Sequence, residues 1–215
     1  MIHDLSKDFS VLSHFLAEIR DVEVQNDRMR FRRNLERVGE LLAFEISKTL
    51  AFSEQEVKTP LGTAKVNLST DQVVLSTILR AGLPLHQGML NYLDKSENAF
   101  VSAYRKYTGP DEFEVYVEYM ASASIDDKIL IIADPMLATG TSVELVYKAL
   151  LGKGKPKRTV VASVIASKDG LDHCRRILPS DTDFYIAAID EELTAKSYIV
   201  PGLGDAGDLA YGKKE

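Results

Sequence analysis

The sequence predicts an α/β protein with a mainly parallel sheet flanked by helices, a β-hairpin arm and a small C-terminal hood. Three short runs of apolar and β-branched residues, Val73–Leu79, Ile129–Ala133 and Thr159–Ala166, are typical of strands that are buried on both faces. Apolar residues with helical spacing follow each run. Strands that alternate with helices favour parallel pairing, because each helix returns the chain to the same end of the sheet.

Composition and charge restrict the class of protein. The 215 residues are 45% hydrophobic and 27% charged, with a formal net charge of −6. We expect a single domain over 1–215, with N-terminal helices over 1–50, a core over 60–190 and the hood over 190–215. The negative charge argues against nucleic-acid binding as a bulk property.

Targeting signals and cysteine usage favour a cytoplasmic protein without disulfides. No apolar run approaches the ~18 residues of a membrane span, and MIHDLSKDF lacks the basic-then-apolar pattern of a signal peptide. Cys174 is the only cysteine, which excludes an internal disulfide and a cysteine-rich metal site. It is either a reactive thiol or a bystander.

Two helices are predicted before the first long strand. Apolar spacing indicates an amphipathic helix within 1–25, carrying Val11, Leu12, Phe15, Leu16 and Ile19. Asn26 or Asp27 is predicted to cap a longer helix that continues to about Leu50. Five arginines crowd its first half, and they suit a solvated face paired with acids, a subunit contact or an effector-phosphate patch: Arg28, Arg30, Arg32, Arg33 and Arg37.

Between this helix and the second buried run, the pattern predicts turns, strands and an arginine at a strand end. Pro60, Gly62 and 67–72 read as turns around a possible strand, 63–66. Arg80-Ala81-Gly82 follows the first buried strand and precedes a helix. Alternating residues in 100–104 and 114–119 predict the hairpin arm, which carries Arg105 and could close over a charged substrate.

The stretch 129–152 combines a buried strand, an acid, a hydroxyl-rich loop and a helix start. Unpaired N–H groups and the helix dipole favour an oxyanion at such a position. Asp134 at the strand end could accept hydrogen bonds from a ribose diol, and no lysine of a nucleoside-triphosphate P-loop is present. Thr141 and Glu144 have capping-box spacing, and Gly152 is predicted to end the helix.

The C-terminal segment Gly202–Gly207 matches G-x-G-x-x-G, but too little chain follows for the helix and strand that a dinucleotide fingerprint requires. The glycines instead suggest a pocket lined by backbone, where N–H and C=O groups recognise a small planar ligand. Such groups can discriminate strongly, because a ligand with the reversed donor and acceptor pattern leaves buried groups unpaired.

Three motifs together resemble one protein family. DPMLATGTS (134–142) resembles the phosphoribosyl diphosphate (PRPP) loop of phosphoribosyltransferases. ILRAG (78–82) and YIVPGLGDAGD (198–208) are similar to segments of the uracil phosphoribosyltransferase family in particular. The resemblance implies a phosphoribosyltransferase-like core, the conversion of uracil and PRPP to UMP and pyrophosphate, Mg²⁺ bound mainly through PRPP, and a homodimer or higher homo-oligomer.

The resemblance also implies roles for individual residues. Arg80, Arg105 and Asp205 are the catalytic candidates, with the two arginines on the departing pyrophosphate. Uracil would contact Ile199, Gly204, Asp205 and Ala206. No residue is assigned as a metal ligand. PRPP would contact these three catalytic candidates together with Asp134, Pro135, Met136, Leu137, Ala138, Thr139, Gly140, Thr141 and Ser142.

Three departures from the family pattern bear on activity. Thr141 stands where a second glycine is usual, Ser76-Thr77 replace a Val-Pro pair, and Ser167-Lys168-Asp169 replace Ala-Pro-Glu beside the base. They leave room for low activity or a shifted base preference. The alternatives are therefore a phosphoribosyltransferase for another base and a nucleotide-sensing regulatory protein on the same fold.

Overall fold

The computed structural model describes residues 1–107 and 113–214, and within these the side chains of 1–102 and 117–214. Its helices are α1 (Leu12–Arg20), α2 (Arg28–Ser47), α3 (Gly82–Tyr92), α4 (Thr141–Leu150), α5 (Lys168–Ile177) and α6 (Ala206–Tyr211). Its strands are β1 (Ile2–Asp4), β2 (Phe52–Thr59), β3 (Gly62–Ser69), β4 (Val73–Leu79), β5 (Glu97–Tyr107), β6 (Phe113–Ser122), β7 (Ile129–Ala133), β8 (Met136–Leu137), β9 (Arg158–Ser167), β10 (Asp183–Asp190), β11 (Glu192–Leu193) and β12 (Ile199–Val200).

The predicted parallel sheet is confirmed. Its strands run in the order β1-β10-β9-β7-β4-β5-β6, and β8 adds to β9. All pairs are parallel except β5 with β6, which form the predicted antiparallel arm. Every residue of β7 is buried, as its apolar run predicted. Fully burying each such side chain contributes about 1.5–3 kcal/mol, which makes the centre of the sheet a rigid platform.

Helices cover both faces of the sheet. Side chains from α1, α2 and α3 pack on one face, around Leu35, Leu42 and Leu85. Side chains from α4 and α5 pack on the other face, around Val146 and Leu171. The α2 boundary agrees with the sequence, because Asp27 caps the helix by accepting hydrogen bonds from the N–H groups of Met29 and Arg30.

Several local predictions are wrong. Residues 2–4 form strand β1 on the edge of the sheet, and the first helix is confined to 12–20. Residues 52–59 form a strand that the pattern did not indicate, and 67–69 continue β3 where a turn was predicted. Gly152 was predicted to end α4, but it lies within a 3-10 turn, 151–153, that follows the helix. The glycine with a positive φ, 130°, is Gly154.

The β2–β3 hairpin pairs with no other strand of the described chain. All of its residues are exposed apart from Ala64, which is half-buried. Opposite residues of an antiparallel pair share a face, and one face here carries no charge. That face consists of Ser53, Gln55, Val57, Thr59, Gly62, Ala64, Val66 and Leu68.

Candidate active site

Adjacent parallel strands bring Arg80 and Asp134 to one edge of the sheet. Thr77 of β4 lies opposite Ala133 of β7, so the segments that follow these two strands leave the sheet side by side. Both residues line a cavity of about 400 Å³. The carboxyl ends of parallel strands are where open α/β sheets bind their ligands, so this edge is where a site is expected.

The cavity brings together most of the predicted site residues. From the sheet edge and the loop after β7, Arg80, Asp134, Pro135, Met136, Ala138 and Ser142 line it. From the hood, Ile199, Gly204, Asp205 and Ala206 line it. Residues predicted for PRPP and residues predicted for the base therefore share a single cavity.

The remaining loop residues line a small annex of about 20 Å³. Leu137, Thr139 and Gly140 line it, together with Asp134 and Ser142, which also line the large cavity. Thr141 lines neither space; its Oγ1 lies 3.0 Å from Oγ1 of Thr139. The extra side chain at this position therefore does not crowd the cavity.

Helix α4 begins at the loop without a side-chain cap in the described structure, which corrects the predicted capping box. Gly140 is the N-cap, with φ of 79°, and Thr141 is the first helical residue. The carboxylate of Glu144 accepts a hydrogen bond from Lys148 and lies 2.7 Å from Nε2 of His173, so it does not reach back to the cap. The N–H of Thr141 donates to Oγ1 of Thr139 at 3.4 Å. The start of α4 is therefore a place where an anion could accept hydrogen bonds from the N–H groups that follow.

Helix α5 supports the loop from behind. A Cβ at Gly140 would lie 2.8 Å from Sγ of Cys174 and 2.9 Å from the carbonyl oxygen of Gly170. Burial, with smaller effects of Asp134 and Glu144, raises the pKa of the Cys174 thiol to about 12. Cys174 is fully buried, so it is a packing residue behind the loop and the bystander interpretation holds.

Ser167 belongs to this support. Its buried hydroxyl donates to the carbonyl oxygen of Ala138 at 2.5 Å and accepts from the N–H of Gly170 at 2.9 Å. It caps α5, and Lys168 and Asp169 form the first turn of that helix. The sequence placed these three residues in a loop beside the base, and this is wrong because none of them lines the cavity.

Arg80 is held by the hood. Its Nη2 lies 3.3 Å from Oδ1 of Asp208, and its Nη1 donates to the carbonyl oxygen of Gly212 at 3.3 Å. The peptide bond between Leu79 and Arg80 is cis. Ser76 and Thr77, the family departures before this turn, are fully buried, and their hydroxyls have no hydrogen-bond partner within the described residues.

Arginines far away in sequence anchor the hood to the core. Arg20, at the end of α1, forms a bidentate ion pair with Asp190, with both distances 2.8 Å. The same guanidinium donates to the carbonyl oxygen of Gly202 at 2.9 Å, and the N–H of Gly202 donates to Asp190 at 2.9 Å. Gly202 has φ of 56°, and a Cβ there would lie 2.1 Å from the carbonyl oxygen of Ile199. Only glycine fits this turn.

The arginine cluster of α2 is largely satisfied within the chain. Arg30 pairs with Glu18, and Arg33 pairs with Glu36 at 2.7 Å. Arg32 donates to the carbonyl oxygen of Ala210 at 2.7 Å, and its guanidinium lies 5.8 Å from the centre of the Tyr211 ring. The predicted pairing with acids is confirmed for Arg30 and Arg33, and Arg32 holds the last turn of α6.

Arg105 lies on β5, in the arm, but its side chain lies outside the described residues. Its position relative to the cavity therefore stays a prediction. Sequence reasoning missed eight residues that line the cavity, among them Tyr198, named only as a packing anchor. Five of the others lie within the quoted motifs but were not assigned to the site, and two lie outside them: Ile78, Leu79, Ala81, Gly207 and Asp208 within, and Ser197 and Lys214 outside.

Comparisons with known proteins agree with this geometry. The sequence model of the family described as "Uracil phosphoribosyltransferase" matches residues 6–213. The chain belongs to the uracil phosphoribosyltransferase family. A uracil phosphoribosyltransferase from Porphyromonas gingivalis is 58% identical over 214 residues, covering 100% of this chain and 99% of the relative. One from Methanothermobacter thermautotrophicus is 44% identical, covering 87% and 86%.

A solved structure of similar shape is the AQ2163 protein from Aquifex aeolicus. It has a TM-score of 0.88 and 29% sequence identity, and the match covers 99% of this chain and 98% of that one. Together with the family match, the relatives identify the chain as a transferase of the uracil phosphoribosyltransferase type. They support the predicted function and not the nucleotide-sensing alternative.

Proposed function

We propose that this chain transfers the phosphoribosyl group of PRPP to N1 of uracil, with UMP and pyrophosphate as products. The observation that carries the proposal is the shared cavity, lined by Asp134 and Ser142 on the loop side and by Ile199 and Asp205 on the hood side. A donor held by the loop and a base held by the hood would meet inside it. Its volume of about 400 Å³ suits ligands of this size.

The loop from Ala138 to Ser142 would bind the 5′-phosphate. The N–H groups at the start of α4 lie at the end of this loop, and the hydroxyls of Thr139, Thr141 and Ser142 can donate hydrogen bonds. Asp134 would accept hydrogen bonds from the ribose hydroxyls. The N–H of Met136 donates to Asp134 Oδ1 at 3.3 Å, which orients that carboxylate within the loop.

The hood would bind uracil through its backbone. Gly204 has φ of 94° and no atom within 4 Å of a built Cβ, so its peptide groups border open space. Ile199 and Ala206 are buried against the core and would fix the plane of the ring. Opposed N–H and C=O groups in this segment would match N3–H and O4 of uracil and leave cytosine unpaired.

Cleavage of the bond between C1 of the ribose and the diphosphate leaves positive charge on C1. Uracil N1 attacks from the opposite face and releases its proton to the solvent as the N1–C1 bond forms. Arg80 would bind the departing diphosphate, with Arg105 joining it from the arm. Asp205, which caps α6 by accepting from the N–H of Asp208 at 2.9 Å, would lie near the ribosyl group. Much of the acceleration would come from orientation and preorganised charge.

We propose that Mg²⁺ is bound mainly through PRPP. The carboxylates of Asp134 and Asp205 line the cavity and offer the oxygen ligands that Mg²⁺ prefers, so the residues fit the ion. Within the described residues, no group of three or more His, Cys, Asp or Glu side chains could hold a metal ion. When bound, Mg²⁺ neutralises charge on the diphosphate.

We also propose that the protein is a cytoplasmic homo-oligomer, at least a dimer, in which a second copy covers the β2–β3 hairpin. An isolated two-stranded hairpin is marginally stable in water, and here Val57, Val66 and Leu68 of the uncharged face are exposed within the described residues. No helix of the described residues is long and apolar enough to cross a membrane. We propose no membrane or nucleic-acid partner.

Sedimentation velocity tests the assembly. Val66→Asp places a charge on the uncharged face and should shift the protein toward monomer. Lys58→Asp lies on the opposite, charged face and should leave the assembly unchanged. Equal behaviour of the two variants would contradict the proposed contact.

The reaction is tested with radiolabelled uracil, PRPP and Mg²⁺, in parallel with cytosine, orotate and hypoxanthine. UMP should form from uracil alone. Arg80→Gln should lose most of this activity, whereas Arg175→Gln, an exposed arginine on α5, should retain it. Product from another base but not from uracil would replace the proposed substrate. No product with any base would overturn the enzymatic proposal.

A further inference from the structure

The charges around the cavity are unfavourable for a polyanionic donor. Among the described residues that line it, three are carboxylates, Asp134, Asp205 and Asp208, and two are cations, Arg80 and Lys214. Proteins bind phosphate groups through charge-assisted hydrogen bonds from such cations. Because carboxylates outnumber cations among these residues, the binding of PRPP depends on whether Arg80 and Lys214 are already paired with other groups of the protein.

The charge of Arg80 is already shared with the hood. Its guanidinium lies against the carboxylate of Asp208 and the carbonyl oxygen of Gly212, at 3.3 Å in each case. Lys214, by contrast, takes part in no ion pair or hydrogen bond within the described chain. Of the two cations, the lysine can therefore meet an incoming anion without giving up a partner.

The position of Lys214 is fixed by the segment before it. Arg32 holds the carbonyl oxygen of Ala210 at 2.7 Å, and Arg80 holds that of Gly212 at 3.3 Å. Gly212 has φ of 92°, which turns the chain after α6. Two residues later, Lys214 lines the cavity while its neighbour Lys213 does not. Lys214 therefore lines the cavity two residues after a carbonyl oxygen that Arg80 contacts.

We propose that Lys214 is a further substrate-binding residue, and that its ammonium group binds the diphosphate of PRPP beside Arg80. The inference rests on the proposed function, because it assigns a ligand group within that same site. An ammonium group on a flexible four-carbon stem can follow the diphosphate as it departs, whereas the paired guanidinium of Arg80 is fixed by the hood.

Two neighbouring substitutions test the inference. Lys214→Gln and Lys213→Gln remove the same charge from the same tail, and only the first removes a side chain from the cavity. Lys214→Gln should raise the KM for PRPP and the inhibition constant of pyrophosphate about fivefold to tenfold, and Lys213→Gln less than about twofold. Product inhibition by UMP, which carries the 5′-phosphate but no diphosphate, should change little in either variant.

Equal effects of the two substitutions, or no effect of either, would overturn the inference, since only a general charge effect would remain. A larger change in UMP inhibition than in pyrophosphate inhibition would also overturn it, because Lys214 would then bind the 5′-phosphate. Equilibrium dialysis with radiolabelled PRPP gives the same comparison without a base. Wild-type protein that binds PRPP but makes no UMP would count against the proposed function and leave the dialysis test of Lys214 intact.

Discussion

The phosphate loop and the hood border the same cavity but are held in place differently. The loop follows a buried strand, and residues packed directly behind it, Ser167 and Cys174 of the α5 region, fix its shape. The hood packs Ile199, Leu203 and Ala210 into the core, and arginines from α1, α2 and the β4–α3 turn tie it there as well. The donor side thus depends on packing and backbone conformation, whereas the base side adds long-range ionic hydrogen bonds to its packing.

The largest expected effect is that of Gly140→Ala in the loop. A Cβ there would lie 2.8 Å from Sγ of Cys174, and φ of 79° is unfavourable for alanine. Left-handed conformation and overpacking together should cost about 2–4 kcal/mol of unfolding free energy. We expect urea unfolding to show this loss, with a KM for PRPP raised about tenfold or more.

Gly152→Ala is the matched control. Gly152 has no atom within 4 Å of a built Cβ and lacks a positive φ, so this variant should keep the wild-type midpoint of unfolding. Comparable losses in the two variants would show that packing against α5 does not shape the loop.

Arg20→Met should be the next largest effect, on the hood. The substitution leaves Asp190, which is 7% exposed, without its cation and frees the carbonyl oxygen of Gly202. Breaking a buried pair costs 3–5 kcal/mol, and the partial exposure of Arg20 reduces this to roughly 2 kcal/mol. Thermal unfolding should show the loss, while Arg175→Met, which removes an exposed pair with Asp172, should change stability by less than about 1 kcal/mol.

Arg32→Gln should have a smaller effect, and it should weaken the binding of both substrates. It removes the hydrogen bond to the carbonyl oxygen of Ala210 at the end of α6, which is worth about 1 kcal/mol. The turn after α6, which contacts Arg80 through Gly212 and leads to Lys214, should loosen as a result. Initial-rate kinetics should show the KM for uracil and for PRPP raised about twofold to fivefold. Arg176→Gln, an exposed residue of α5, should change neither. An effect on only one substrate would mean that α6 is not shared between the two.

The smallest expected effect is on the pH dependence of stability, through Glu18 at the contact between α1 and α2. Hydrogen bonds from Arg30 and Asn34 lower the pKa of Glu18 from 4.5 to about 2. Because the folded-state pKa is lowered, the ionised carboxylate stabilises the fold above pH 4.5, and this contribution is lost as pH falls toward 2. Urea unfolding of wild type and Glu18→Gln should differ most at pH 7, and the difference should shrink below pH 4.5 and vanish near pH 2. A difference that is constant with pH would contradict this role.

The donor side could be predicted from the sequence because its determinants are local. A buried strand, Asp134, hydroxyl-bearing residues and a helix follow one another without interruption, and parallel strands necessarily bring Arg80 to the same edge. The capping box was wrong, since spacing alone cannot show that Gly140 already ends the loop as the N-cap. The prediction that Ser167 lies in a loop beside the base is wrong because its role depends on a contact with Ala138, which is 29 residues away in sequence.

The attachments of the hood could not be predicted, since they join residues 170 and 182 positions apart for Arg20 and 178 apart for Arg32. No periodicity or motif marks such a pair. Strand β1 has three residues and is defined only by its pairing with β10. The possible strand 63–66 lies within β3, so that prediction is confirmed, whereas the polar and charged residues of β2 resemble a loop until the strands are paired.

The most direct test of the difference between the loop and the hood is to measure steady-state kinetics of Gly140→Ala and Arg20→Met with both substrates varied. Loop packing predicts that Gly140→Ala raises the KM for PRPP while the KM for uracil changes little. Ionic anchoring of the hood predicts that Arg20→Met raises the KM for uracil more than that for PRPP. If both variants raise the same KM to the same extent, the loop and the hood do not divide the donor and the base between them.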